Sequence, residues 1–188
     1  MFNQDIMKNC IIYISSQLGK RGIVLNETKL YKILWFANLH YADNNGDLLF
    51  SDLFIKKDYG PVPELSYDYI DNVKSKWNEW DEFLQISTSF FQGFSSYKEN
   101  KISHKKEVDE DFLTDYMKDS LNFAIENYWN KSAWELSSIT HQKWSAWDVT
   151  SQWAVIDITI DMKNFEMKDL VKERIDELKV LLRTLKYA

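Results

Sequence analysis

Apolar residues recur every three or four positions over several stretches of the chain, and each such stretch predicts a helix with a buried face. Ile6, Cys10, Tyr13, Ile14 and Leu18 define the first, over residues 4–18, with Gly19 as its stop. Asn26 is placed to cap a second over KLYKILWFANLHYAD, where Leu30, Ile33, Leu34, Ala37 and Tyr41 share one face and Tyr31, Trp35 and Leu39 cover much of another. A helix that is apolar nearly all round is expected at the centre of a fold, or partly reserved for a partner. The next segment, LLFSDLFIKKDY, is rich in β-favouring residues and predicts an extended run. It ends at Gly60-Pro61-Val62-Pro63, which holds the only two prolines of the chain. Gly60 tolerates the geometry required before a proline, Pro61 fixes a bend, and Pro63 suits the first turn of a helix carrying Leu65, Tyr69, Ile70 and Val73. The expected object is an extended-to-helix joint.

Residues 77–106 mix aromatic and polar positions and predict a hairpin or an irregular loop. Asp109 or Asp111 is expected to start a long helix striped by Leu113, Met117, Leu121, Ala124, Ile125 and Tyr128. Ser132 followed by Glu135 forms a capping-box signature for a short helix ending at His141, and VIDITI reads as a short strand. A last helix over residues 168–185 places Val171, Ile175, Leu178, Leu182 and Leu185 along one seam, too short for a coiled coil and better suited to core packing. The expected fold class is α+β, predominantly α-helical: one domain over residues 1–188, with about six helices and a small antiparallel β element. Residues 166–188 are expected to pack on that domain or to serve a partner.

Composition narrows the function. Eight Trp, ten Tyr and eleven Phe can build a core or an adhesive surface. The net charge is −6, neither half is basic, and Arg21, Arg174 and Arg183 are the only arginines, which disfavours nucleic acid as a partner. A lone Cys10 excludes an internal disulfide and multi-cysteine zinc motifs. The start MFNQDIMKN has no export pattern and no apolar run is long enough to span a membrane, so a cytoplasmic location is expected.

Signals for chemistry are sparse. Ser137, His141 and Asp148 are the residue types of a hydrolytic triad, but no G-x-S-x-G elbow presents the serine; a hydrolase stays as the alternative of a different class. His40 and Asp43 share a helix face, and neither they nor His104 and His141 carry metal-site spacing. DNNGDLLFSD has its glycine at the wrong place for a calcium loop, and phosphate-binding glycine motifs are missing. No catalytic residue, metal or cofactor is therefore expected. In LSSITHQKWSAWD, His141 reads as a structural histidine at a helix C-terminus, and Trp144 and Trp147 as partial core or as anchors for a protein partner.

Three ordered pieces, KLYKILWFANLHYAD, FIKKDYGPVPELSY and LSSITH followed by SAWD, resemble the Panacea domain of SocA-like antitoxins. Lys29, Leu30, Lys32, Leu34 and Phe36 match its first motif, Gly60, Pro61 and Val62 its second, and Thr140, His141 and Trp147 its third. Trp35 stands where the family often has tyrosine, and Ala146 replaces a proline before the tryptophan. The match covers roughly residues 6–160, and the DNA-binding domain that some relatives carry is not expected within these residues. The resemblance implies a non-enzymatic antitoxin of a type II-like system that neutralises a cognate protein toxin by direct binding, the toxin being encoded next to it in a bacterium or phage. An adaptor that delivers the toxin to a host protease is the alternative, and homo-oligomerisation stays open. Gly60, Pro61, Val62, Thr140 and His141 are then structural motif residues, and Tyr31, Trp35, Trp144 and Trp147 are the candidates for toxin contact.

Overall fold

The structure, a computed structural model, describes residues 4–77, 81–91 and 97–186. Its centre is α2 (Glu27–Asn45), begun by Asn26, whose side chain accepts the Lys29 N–H at 2.9 Å, and ended by Gly46 in the left-handed region at φ 67°. Lys29 to Asn38 of α2 are all buried, as the all-round apolar pattern predicts. Around it pack α1 (Gln4–Gly19), α4 (Asp115–Tyr128) and α5 (Ala133–Thr140).

Two small antiparallel sheets complete the core. In one, β1 (Leu25–Asn26) pairs with β5 (Tyr97–His104), which pairs with β4 (Leu84–Phe91). Leu25 and Ile86 both oppose Ile102 and all three are buried, whereas Gln85 and Ser87 point to solvent, the alternation of a half-buried sheet. Of the two expectations for residues 77–106, the hairpin describes Leu84–His104; residues 78–80 and 92–96 lie outside the described residues.

In the other sheet, β2 (Phe54–Lys57) and β3 (Gly60–Pro63) form a tight hairpin that turns at Asp58 and Tyr59. The Gly-Pro-Val-Pro stretch is thus itself a strand, and Pro63 is the N-cap of α3 (Glu64–Asn72) instead of its first turn. Both prolines are accommodated because β3 is an edge, where the missing N–H groups leave no ladder partner unmet. Since Pro63 has no capping side chain, Asp52 supplies one: its buried carboxylate accepts the Leu65 and Ser66 N–H groups, each at 2.9 Å, and the Ser66 hydroxyl at 2.8 Å.

Two further expectations are corrected. Asp109 caps a short 3-10 turn, Glu110–Phe112, and the long helix α4 is begun by Thr114, whose hydroxyl accepts the Met117 N–H. VIDITI is not a strand: Val155 makes a single bridge to Ile55, and Ile158–Ile160 is a 3-10 turn started by Asp157. The expected predominantly helical α+β class of about six helices is borne out: the described residues hold seven α-helices, the four-residue α6 (Ala146–Val149) and α7 (Lys168–Lys186) among them. On α7 the seam residues Val171, Ile175, Leu178 and Leu182 are buried in the common core; the Leu185 side chain lies outside the described ones. Asp43 at the end of α2 accepts the Lys163 and Asn164 N–H groups at 2.8 and 3.1 Å, which fixes the approach to α7. No helix among the described residues is long and apolar enough to cross a membrane.

Burial raises the Asp52 carboxyl from 3.8 to about 6, against the pull of its three hydrogen bonds. The folded chain therefore holds this proton more tightly than the unfolded chain, and stability through Asp52 falls as pH rises from about 4 to about 6. Asp52→Ala is expected to cost about 2–4 kcal/mol, because it leaves the buried Ser66 amide and hydroxyl without an acceptor. Urea unfolding at neutral pH measures the loss, and the part of the wild-type pH slope between about 4 and 6 that Asp52 contributes should be missing in the variant.

Candidate functional site

The three sequence motifs, far apart in the chain, meet at one interior junction. Lys32, on the buried face of α2, donates from Nζ to the Pro61 carbonyl at 2.9 Å. Gly60 adopts φ +108°, and a Cβ there would lie 2.5 Å from Lys32 Cε and 2.7 Å from Thr140 Oγ1. A glycine is required twice over, by the backbone conformation and by the lysine stem and threonine hydroxyl pressed against its Cα. Thr140 donates to the Ser137 carbonyl at 2.9 Å, and Ser137 donates to the Tyr59 carbonyl at 2.9 Å, tying α5 to the hairpin tip. Burial lowers the Lys32 ammonium from 10.5 to about 7, and no carboxylate among the described residues forms an ion pair with it.

His141 caps the C-terminus of α5 and stacks on Trp147, with ring centroids 3.6 Å apart and planes 11° from parallel. Burial, then the charges of Lys32 and Lys56, push the imidazole below its usual range, so the neutral ring is favoured. Its Nε2 is buried with no partner among the described residues. Trp147 is half-buried; its indole N–H donates to the Lys57 carbonyl at 3.0 Å, and Lys56 Nζ sits 4.2 Å from the ring centroid on a face of the same indole. The residues of the supposed triad are spent elsewhere: Ser137 on a carbonyl, and Asp148 on the Trp144 N–H at 2.9 Å. No hydrogen bond links Ser137, His141 and Asp148 side chains among the described residues. His40 pairs with Ser120 at 3.0 Å and stacks on Phe123, so it too has a structural setting.

The four aromatic candidates separate sharply. Trp35 is 1% exposed, edge-on to Phe54 at 5.1 Å, and Tyr31 is buried beside Tyr67 with no partner for its hydroxyl among the described residues. Both rings are buried, and the hairpin and α5 pack against this side of α2. Trp147 is a supporting ring. Trp144 is 72% exposed and its backbone is left-handed, φ 70°, a conformation uncommon for a bulky residue and held by the Asp148 bond. Trp153 repeats this, exposed with φ 66°, its N–H donating to the Lys56 carbonyl at 3.0 Å. Tyr59 at the hairpin tip and Trp134 on α5 are exposed as well. Sequence reasoning had no handle on the exposure of Tyr59, Trp134 and Trp153, because an aromatic in a turn, a loop or the first turn of a short helix gives no sign of which way it faces.

Fold and site together define a mainly helical α+β domain in which three separated motifs build one junction, on elements that also carry exposed aromatic side chains. The profile of the family described as antitoxin SocA-like, Panacea domain, matches residues 30–148, and the chain belongs to this antitoxin family. No curated protein and no solved structure matches the chain. The matched span runs from α2 to α6 and contains the whole junction. The Ala146 departure has a structural consequence: at the first position of α6 its N–H donates to Asp161 Oδ1 at 2.7 Å, a bond that proline could not make.

Gly60→Ala is expected to destabilise the fold by about 3 kcal/mol or more, combining a strained φ with a steric conflict at Lys32; thermal unfolding reads this directly. Lys32 gives a pH signature of defined sign. From pH 7 to 10.5 the unfolded chain holds a proton on Lys32 that the folded chain has released, so stability through this group rises with pH across that window. Lys32→Met should flatten the rise, and a denaturation series across these pH values tests it.

Proposed function

We propose that this chain neutralises a cognate protein toxin by direct contact, through the aromatic surface of the β2–β3 hairpin tip, α5 and the loops on either side of α6. The observation that carries the reading is the pair of exposed tryptophans, Trp144 and Trp153, held in left-handed backbone conformations by specific hydrogen bonds. Rigid, exposed tryptophan is the residue type most often responsible for binding energy between proteins, because it buries a large area at little entropic cost. Membership in an antitoxin family supports a toxin as the partner. The commitment of Ser137 and Asp148 to backbone groups supports a non-enzymatic role.

Co-expression with the product of the adjoining gene tests the reading. Growth should be rescued, with a complex that survives gel filtration and toxin that stays abundant. Trp144→Ala and Trp153→Ala should each fold normally, and at least one should weaken the complex by about 2 kcal/mol, roughly 30-fold. Rescue without a complex, or toxin that disappears unless a host protease is deleted, would replace direct neutralisation with the adaptor reading.

A further inference from the structure

Beside Trp144 runs an open groove of about 320 Å³, between α2, α5 and the loop that leads into α6. Its volume is at the lower end for small-molecule pockets, about 300–1,000 Å³, and matches an inserted side chain better than a nucleotide. Trp35, Phe36, Leu39 and Ile139 contribute apolar lining, Trp144 stands at it, and Asp161 adds a carboxylate. Asp161 is half-buried and uses Oδ1 for the Ala146 N–H. No lysine or arginine among the described residues forms an ion pair with it.

The cations nearby do not compensate this carboxylate. Lys143 lines the groove, but its Nζ lies over the Trp144 ring, 5.1 Å from the centroid. Lys168 acts on Asp161 only through space, and its ammonium lies over Phe165. Burial outweighs both Lys168 and the Ala146 N–H and holds Asp161 above the usual carboxylate range. A carboxylate without an ion pair, in a groove whose lining mixes apolar residues with Thr140, Gln142 and Ser145 and has an indole at its side, favours an incoming cation that also has flat apolar faces. Guanidinium meets both demands, pairing with a carboxylate and stacking on an aromatic ring, where a lysine ammonium would meet only the first. The overall charge of −6 points the same way, toward a partner with a basic face.

We infer that this groove is the docking pocket for an arginine side chain of the toxin, its stem along Leu39 and Ile139, its guanidinium between the Trp144 ring and the Asp161 carboxylate. The inference rests on the toxin-binding reading and deepens it by assigning the partner's anchor.

The test uses the full 15N-labelled chain and N-acetyl-L-arginine N-methylamide as the probe, with the Trp144 indole and Ala146 amide signals as reporters. Saturable shifts at both are expected. Asp161→Asn keeps the Oδ1 acceptor for Ala146 and should weaken probe binding by about tenfold. Trp144→Ala, on an exposed side chain, should weaken it about threefold and keeps the test decisive should the first variant fail to fold. N-acetylnorleucine N-methylamide, lacking the charge, should leave Ala146 unmoved. Absence of saturable shifts in the wild type, or equal probe binding by the folded variants, overturns the inference. The adjoining gene product separates the two levels of the argument: equal binding to wild type and to Asp161→Asn overturns the arginine pocket alone, and no binding to wild type overturns the reading beneath it.

Discussion

The fold depends on how a lysine amine is satisfied inside an apolar helix. Lys32 lies in the most enclosed part of α2, where a polar head without a partner would cost several kcal/mol. Its acceptor is the Pro61 carbonyl, brought within 2.9 Å because the preceding residue has no side chain to keep hairpin and helix apart. One contact therefore specifies three residues at once: a long amine on α2, a glycine that allows close approach, and a strand whose carbonyl faces inward. Thr140 closes the arrangement from the third side, its hydroxyl against the same Gly60 Cα. The Gly-Pro-Val corner is a scaffold because its backbone is enclosed on both sides.

From that junction the order of construction runs outward. The hairpin is pinned to α2 by Lys32, and α5 is pinned to the hairpin by the Ser137 hydroxyl on the Tyr59 carbonyl. His141 ends α5 and passes the constraint to Trp147 by stacking, and Trp147 returns it to the hairpin through the Lys57 carbonyl. The loop between His141 and α6 is thereby closed at both ends, and Trp144 occupies its middle with a left-handed backbone. A strained residue persists only where its surroundings determine it, and here they are the capped ends of two short helices.

What could be read from the sequence follows how locally each signal acts. The Asn26 cap, the Ser132–Glu135 capping box and the α7 seam are interactions within one or two turns, and the structure has all three. Asp109, Asp111 and Thr114 are all residue types that cap helices, so composition alone does not choose among them, and α4 begins at Thr114, next to the buried Leu113 and Met117. VIDITI has the β-favouring residues of a strand, yet Asp157 draws the Thr159 N–H and hydroxyl onto its side chain and closes a turn. The aromatic candidates failed to sort for a different reason. Tyr31 and Trp35 lie on a helix that is apolar all round, so its second face could equally have been free or covered. What covers it is the hairpin, a long-range partner that helical periodicity does not encode. Nothing in HQKWSAWD announces a positive φ at Trp144, since no glycine or asparagine marks it; the conformation is imposed by Asp148 and Ser145 after the loop has closed.

This division bears on how one domain can serve as an antitoxin scaffold. Lys32, Gly60, Pro61, Thr140 and His141, all within the matched span, lie inside the junction or against it and are packed on other parts of the same chain. The exposed aromatics stand on the elements that this junction fixes, at the hairpin tip and in the loops about α6. Substituting a surface ring there leaves the Lys32 contact intact, whereas a change in the junction moves every loop above it. Ala146 illustrates the boundary between the two regions: as a proline it would still fit the first turn of α6, but Asp161 would lose its hydrogen bond and with it a fixed place in the groove. A single buried residue at the base of the loop thus links the core to the placement of a carboxylate in the groove.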